Sequence, residues 1–127
     1  MPNSIQVLLI EDNAADIALI REALAGEPIP VTLHVAKDGE HAIEMLAAGQ
    51  FEPDLVILDL NLPKVSGLSF LERYHPHVPV VVFSSSTNQD DVQRAFQLGV
   101  KDFVPKPSHL ESYKQVVSYI VRRWSVK

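Results

Sequence analysis

The sequence contains no cysteine, which removes disulfides, thiol chemistry and cysteine-ligated zinc. It also lacks an apolar run of the roughly 20 residues needed to span a bilayer, and it lacks a signal-peptide pattern, so a cytoplasmic protein without membrane contact is expected. No basic stripe offsets the net charge of -5, which argues against a nucleic-acid-binding surface. The late basic pair Arg122-Arg123 reads as a solvated helix terminus favoured by the helix dipole. Internal repeats and low-complexity segments are absent too. At 127 residues there is no room for a second domain of ordinary size, so residues 1–127 are expected to form one domain that acts alone or through partners.

What is present is apolar patterning that alternates between two kinds of segment. Ile5–Ile10, Val31–Val35, Leu55–Leu58, Val80–Phe83 and Asp102–Val104 read as strands. Leu55–Leu58, bounded by Pro53 and Pro63, is apolar throughout, as strands buried on both faces of a parallel sheet are. Between the strands, helical spacing places Ile17, Ile20 and Leu24 on one face, then Ala42, Ile43, Leu46 and Ala47. Leu68, Phe70 and Leu71 mark a short third helix, and Val92, Ala95, Phe96 and Leu98 a fourth. Leu110, Tyr113, Val117, Ile120 and Trp124 form the expected buried stripe of the last, with Ser108 and Glu111 as a capping box. Asp12 or Asn13 caps the first helix, and Gly26, Gly49 and Gly99 end helices. Five strands alternating with five helices predict an α/β domain with a central parallel sheet, and right-handed crossovers bring all strand C-termini to one edge.

Ligands of such sheets collect beyond that edge, and the sequence sends chemistry there. Glu11 and Asp12 follow the first strand, Asp59 the third, Ser84 the fourth and Lys106 the fifth. Crowded carboxylates repel one another and either raise their pKa values or bind a cation; oxygen donors without cysteine or clustered histidine point to Mg2+. Mg2+ completes its octahedron with phosphate oxygens, so the site asks for a phosphoryl group. Asp59 can serve as the nucleophile, giving an aspartyl phosphate, with Mg2+, the Lys106 ammonium and the Ser84 hydroxyl each facing a phosphoryl oxygen. The carbonyl of Asn61 could turn inward as a further metal ligand. Taken singly, each residue has a duller use as a helix cap, turn residue, loop charge or core aromatic. Their shared edge and order argue against that.

Glu11-Asp12-Asn13, Asp59 within Leu-Asp-Leu-Asn-Leu-Pro, Gly67, Ser84-Ser85, Phe103 and Lys106-Pro107 stand in the order and spacing of a known family. In these residues the chain resembles the receiver domains of two-component response regulators, CheY-like and flavodoxin-like in fold. The resemblance implies a doubly wound five-stranded sheet of order 2-1-3-4-5 flanked by five helices. It implies Asp59 as phosphoacceptor, Mg2+ held by Asp12, Asp59 and the Asn61 carbonyl, and Glu11 acting through water. Lys106, Ser84 and Ser85 would bind the phosphate, Ser84 and Phe103 would form the switch pair, and Pro107 would follow a cis bond. Ser66, Ser84 and Ser108 depart from the commoner acidic residue, threonine and aromatic at their positions. Val35-Ala-Lys-Asp-Gly-Glu, Leu58-Asp-Leu-Asn-Leu-Pro-Lys, Ser86-Thr-Asn-Gln-Asp-Asp-Val and the aromatic Trp124 are similar to single-domain regulators paired with bacterial phytochromes.

The expected partners are therefore a sensor histidine kinase, of the phytochrome type, and a downstream protein or phosphotransfer partner, with no output domain. A second copy bound through the last helix is also expected from that helix's aromatic and apolar content. Two alternatives compete: a docking module that is never phosphorylated, and a phosphohydrolase with an aspartyl-phosphate intermediate. The latter needs a general acid, which Leu60 and Asn61 do not supply.

Overall fold

The computed structural model describes residues 4–62, 66–75, 77–85 and 88–125; Pro63, Lys64, Ser86 and Thr87, quoted above, lie outside them. Ten elements alternate strictly: β1 (Ile5–Ile10), α1 (Ala14–Ala25), β2 (Val31–Ala36), α2 (Gly39–Ala48), β3 (Leu55–Leu58), α3 (Gly67–Arg73), β4 (Val80–Ser84), α4 (Gln89–Gln97), β5 (Asp102–Pro105) and α5 (Leu110–Trp124). The five strands form one sheet of order β2-β1-β3-β4-β5, all neighbours parallel, which is the doubly wound topology expected from the family resemblance.

Because side chains alternate across a strand, the sheet feeds two cores. Val7, Leu9, Leu55, Ile57, Val81 and Phe83 pack against Ile20 and Leu24 of α1 and Val117, Ile120 and Val121 of α5. Leu8, Ile10, Val56, Leu58, Val80 and Val82 face the other way, onto Ala42 of α2, Phe70 and Leu71 of α3 and Ala95 of α4. Both faces of β1, β3 and β4 are covered, which is why those strands read as unbroken apolar runs.

Helix starts follow local chemistry. Asn13, rather than Asp12, caps α1 by accepting from the Asp16 amide, and Asp38 caps α2 by accepting from His41. Gly49 ends α2 at φ 66°, in the left-handed region where a side chain is disfavoured. Several expectations fail where tertiary packing overrides periodicity. Helix α5 begins at Leu110 with His109 as its cap and no side-chain capping bond, so Ser108 lies one residue too early for the expected capping box. Leu110 is exposed rather than part of the buried stripe, as are Phe96 on α4 and Ala47 on α2. The Lys106–Pro107 bond is trans, not cis.

Candidate metal and phosphoryl site

The last residues of the strands bring the predicted site together. Backbone bonds that continue the sheet place each loop: the Glu11 amide donates to Ala36 O (2.9 Å), Asp59 to Ile10 O (3.0 Å) and Lys106 to Ser84 O (3.0 Å). The carboxylates and the lysine are therefore mounted on strand ends tied to their neighbours, not on free loops. Behind Asp59 the chain passes so close to α3 that a Cβ on Gly67 would lie 2.7 Å from both the Asp59 carbonyl oxygen and Leu60 Cα. Only glycine fits that crossing.

Asp59 is buried and both of its oxygens are engaged. Oδ1 accepts from the Ser84 hydroxyl (2.8 Å) and from the Asn61 backbone N–H (3.1 Å), while Oδ2 accepts from Lys106 Nζ (3.1 Å). Lys106 also donates to Glu11 Oε1 at 2.6 Å, and Glu11 Oε2 accepts from the Asn13 amide. Glu11 is 1% exposed, Ser84 is fully buried, and Asp12 is open to solvent. Carboxylate oxygens of Glu11, Asp12 and Asp59 all lie within 4.8 Å of one another. That span suits a hard divalent cation whose oxygen ligands sit at about 2.0–2.6 Å. Ser85 is exposed just past β4, and Phe103 is half-buried on β5, packed against the α2–α4 core.

The electrostatics describe a site short of positive charge. Burial pushes the Glu11 carboxyl up, to about 7, against the pull of its Lys106 hydrogen bond, with the Asp59 charge adding to the rise. Burial alone would lower the Lys106 pKa, but its bonds to Glu11 and Asp16 and the Asp59 charge outweigh that and hold it above the ordinary lysine value. Those carboxylates, with Asp12, stand against the Lys106 ammonium, and a divalent cation would offset the excess.

Asp16 was not anticipated from the sequence. It donates its amide to the Asn13 cap, so an acidic residue at that spacing has an ordinary helix-start use. Its side chain instead reaches Lys106 Nζ (2.9 Å) through Oδ2 and accepts the Tyr113 hydroxyl (2.7 Å) through Oδ1.

The response regulator receiver domain model matches residues 7–118 of this chain. The chain belongs to the receiver domain family. This receiver is 34% identical to the response regulator Rcp1 of Synechocystis sp., over 93% of its own length and 87% of that protein's. Its structure superposes with a TM-score of 0.90 on the phosphorylated cyanobacterial phytochrome response regulator RcpA, at 37% identity, covering 96% of this chain and 94% of that one. The Mn2+-bound form of Rcp1 gives a TM-score of 0.82 at 35% identity, covering 92% and 91%. Receivers of this family are a phosphoacceptor signalling fold that binds a divalent metal at an acidic pocket, and Glu11, Asp12 and Asp59 form an acidic cluster in this chain. No helix among the described residues is long and apolar enough to cross a membrane.

Proposed function

We propose that this receiver is a stand-alone response regulator that accepts a phosphoryl group on Asp59 from a sensor histidine kinase of the phytochrome type. The reading is carried by the pairing at Asp59, where a buried carboxylate at a strand end has the Ser84 hydroxyl on one oxygen and the Lys106 ammonium on the other. In the transfer, an Asp59 oxygen attacks phosphorus in line and the bond from phosphorus to the donor imidazole nitrogen breaks. That nitrogen leaves with the electron pair and takes up a proton.

Asp12, Asp59 and the Asn61 carbonyl would hold Mg2+, with Glu11 acting through water. When bound, the ion supplies positive charge to a phosphoryl oxygen. Lys106 meets a second oxygen, and Ser84, with Ser85 beside it, meets a third. As Ser84 turns to the phosphoryl group it leaves Asp59, and Phe103 moves inward behind it, changing the surface of α4, β5 and α5. Support for the kinase type comes from RcpA, described as a phytochrome response regulator. Residues 1–127 act on this reading as one cytoplasmic receiver domain that passes the signal to a downstream protein or phosphotransfer partner rather than to nucleic acid. Half-exposed Leu110 and Tyr119 on α5 support homodimerisation through that helix, which a monomeric mass with and without phosphodonor would refute.

The chain works as a phosphoacceptor rather than a turnover enzyme, since Leu60 and Asn61 beside Asp59 carry no general acid. Incubation with Mg2+ and a small phosphodonor is expected to add one phosphoryl group by intact mass, and Asp59→Asn none. An Asp59→Asn chain that labels as well as wild type would sink the reading.

A further inference from the structure

Lys106 has a contact that neither phosphate binding nor the pairing with Asp59 requires. Its side chain is 8% exposed, and an ammonium has three N–H donors. Three carboxylates share them: Glu11 at 2.6 Å, Asp16 at 2.9 Å and Asp59 at 3.1 Å. Asp16 differs from the other two, because it comes from the first turn of α1 and not from the end of a strand. Its second oxygen is held by the Tyr113 hydroxyl at 2.7 Å. Tyr113 belongs to α5, is 3% exposed, and packs edge-on against Phe83 of β4 with ring centroids 5.3 Å apart. The position of its hydroxyl is thus set by the core.

We propose that Asp16 is a positioning residue for phosphoryl transfer, and that Tyr113 orients it, so that α5 sets the alignment of the Lys106 ammonium. The inference rests on Asp59 being the phosphoacceptor. As an Asp59 oxygen bonds to phosphorus, its carboxylate charge disappears and a charged phosphoryl oxygen arrives nearby. Lys106 exchanges one acceptor for the other while Glu11 and Asp16 keep their bonds, so its long flexible stem needs no reorganisation. Without an oriented Asp16, the ammonium is held by Glu11 alone at the moment the exchange occurs. Misplacement of a group by about 1 Å can cost on the order of 100-fold in rate, and a loosened but still tethered lysine should cost less.

Removing Asp16 itself would also remove a negative charge close to an anionic donor, an opposing effect on rate. Tyr113→Phe is the cleaner variant, since it deletes the hydroxyl and changes no charge. Wild type and Tyr113→Phe are compared for Asp59 labelling by acetyl phosphate across Mg2+ concentrations. Their Lys106 side-chain ammonium resonance is followed by NMR. The donor-saturated rate is expected to fall by about 3- to 10-fold, with the Mg2+ half-saturation unchanged and the Lys106 resonance shifted or broadened. A rate equal to wild type, or a loss confined to the Mg2+ half-saturation, overturns the inference alone. A wild-type chain that takes no label overturns the inference and the proposed function together. If Tyr113→Phe does not fold, Asp16→Asn is read on the ammonium resonance, and an unchanged Lys106 signal overturns the proposal.

Discussion

Helices α4 and α5 lie on opposite faces of the sheet and are attached in opposite ways. Tyr113, Val117, Ile120 and Val121 of α5 are buried in the core shared with α1. Helix α4 buries Ala95 alone, and leaves Phe96 47% exposed. It is held instead at its start, where the Asn88 side chain accepts from the Asp90 and Asp91 amides, and by an ion pair of Arg94 with Glu72 of α3 at 2.9 Å. Both side chains of that pair are about half exposed, so it contributes little, about 0.2–1 kcal/mol. Of the two helices flanking β5, α5 is the deeply buried one and α4 the weakly anchored one. Elements that move in switching come from such weakly anchored parts of a fold. The connection from β4 to α4 begins at Ser84, the hydroxyl that touches Asp59. On the proposed function, a change at Asp59 would be passed through Ser84 toward the weakly anchored helix.

The contrast can be broken by experiment. Ile120→Ala, which opens a cavity under α5, is expected to destabilise the chain by about 2–5 kcal/mol in urea unfolding; a loss below 1 kcal/mol would show that α5 is not the anchor. Gly67→Ala tests whether α3, on the same face as α4, is pinned where α4 is not. Its new methyl group meets backbone at 2.7 Å, and a cost of about 1–3 kcal/mol is expected, together with slower labelling of Asp59. Asn88→Ala removes the α4 cap and should cost about 1 kcal/mol, read as faster amide hydrogen exchange confined to α4. Phe96→Ala should stay within about 0.5 kcal/mol of wild type. If it destabilised the chain as much as Ile120→Ala, the two helices would be equally anchored and the comparison would fail.

Much of this was legible from the sequence because strands buried on both faces are apolar throughout. A polar residue that ends such a run is conspicuous, and Asp59 after Leu55–Leu58 is the plainest instance. Glu11 and Ser84 were readable for the same reason, whereas Lys106 follows the short, partly buried β5 and stood out by its place in the order of site residues, and Gly49 by the left-handed turn that ends α2. What could not be read were matters of which faces meet. Leu110 and Phe96 fit the helical apolar period but stand where no other element among the described residues covers them. Ser108 and Glu111 have the spacing of a capping box, yet the helix starts at Leu110.

The same division runs through the site. Alternation of apolar segments and the residues that end them determined the parallel sheet, its reactive edge and the set of Glu11, Asp12, Asp59, Ser84 and Lys106, because local periodicity and right-handed crossovers leave those residues no other edge. Only the tertiary structure decided that Asp16 and Tyr113 join them. Those two are 97 positions apart in the chain, and their hydrogen bond exists because α1 and α5 share one face of the sheet. No local pattern encodes a contact made by the packing of two helices that the chain forms at its opposite ends.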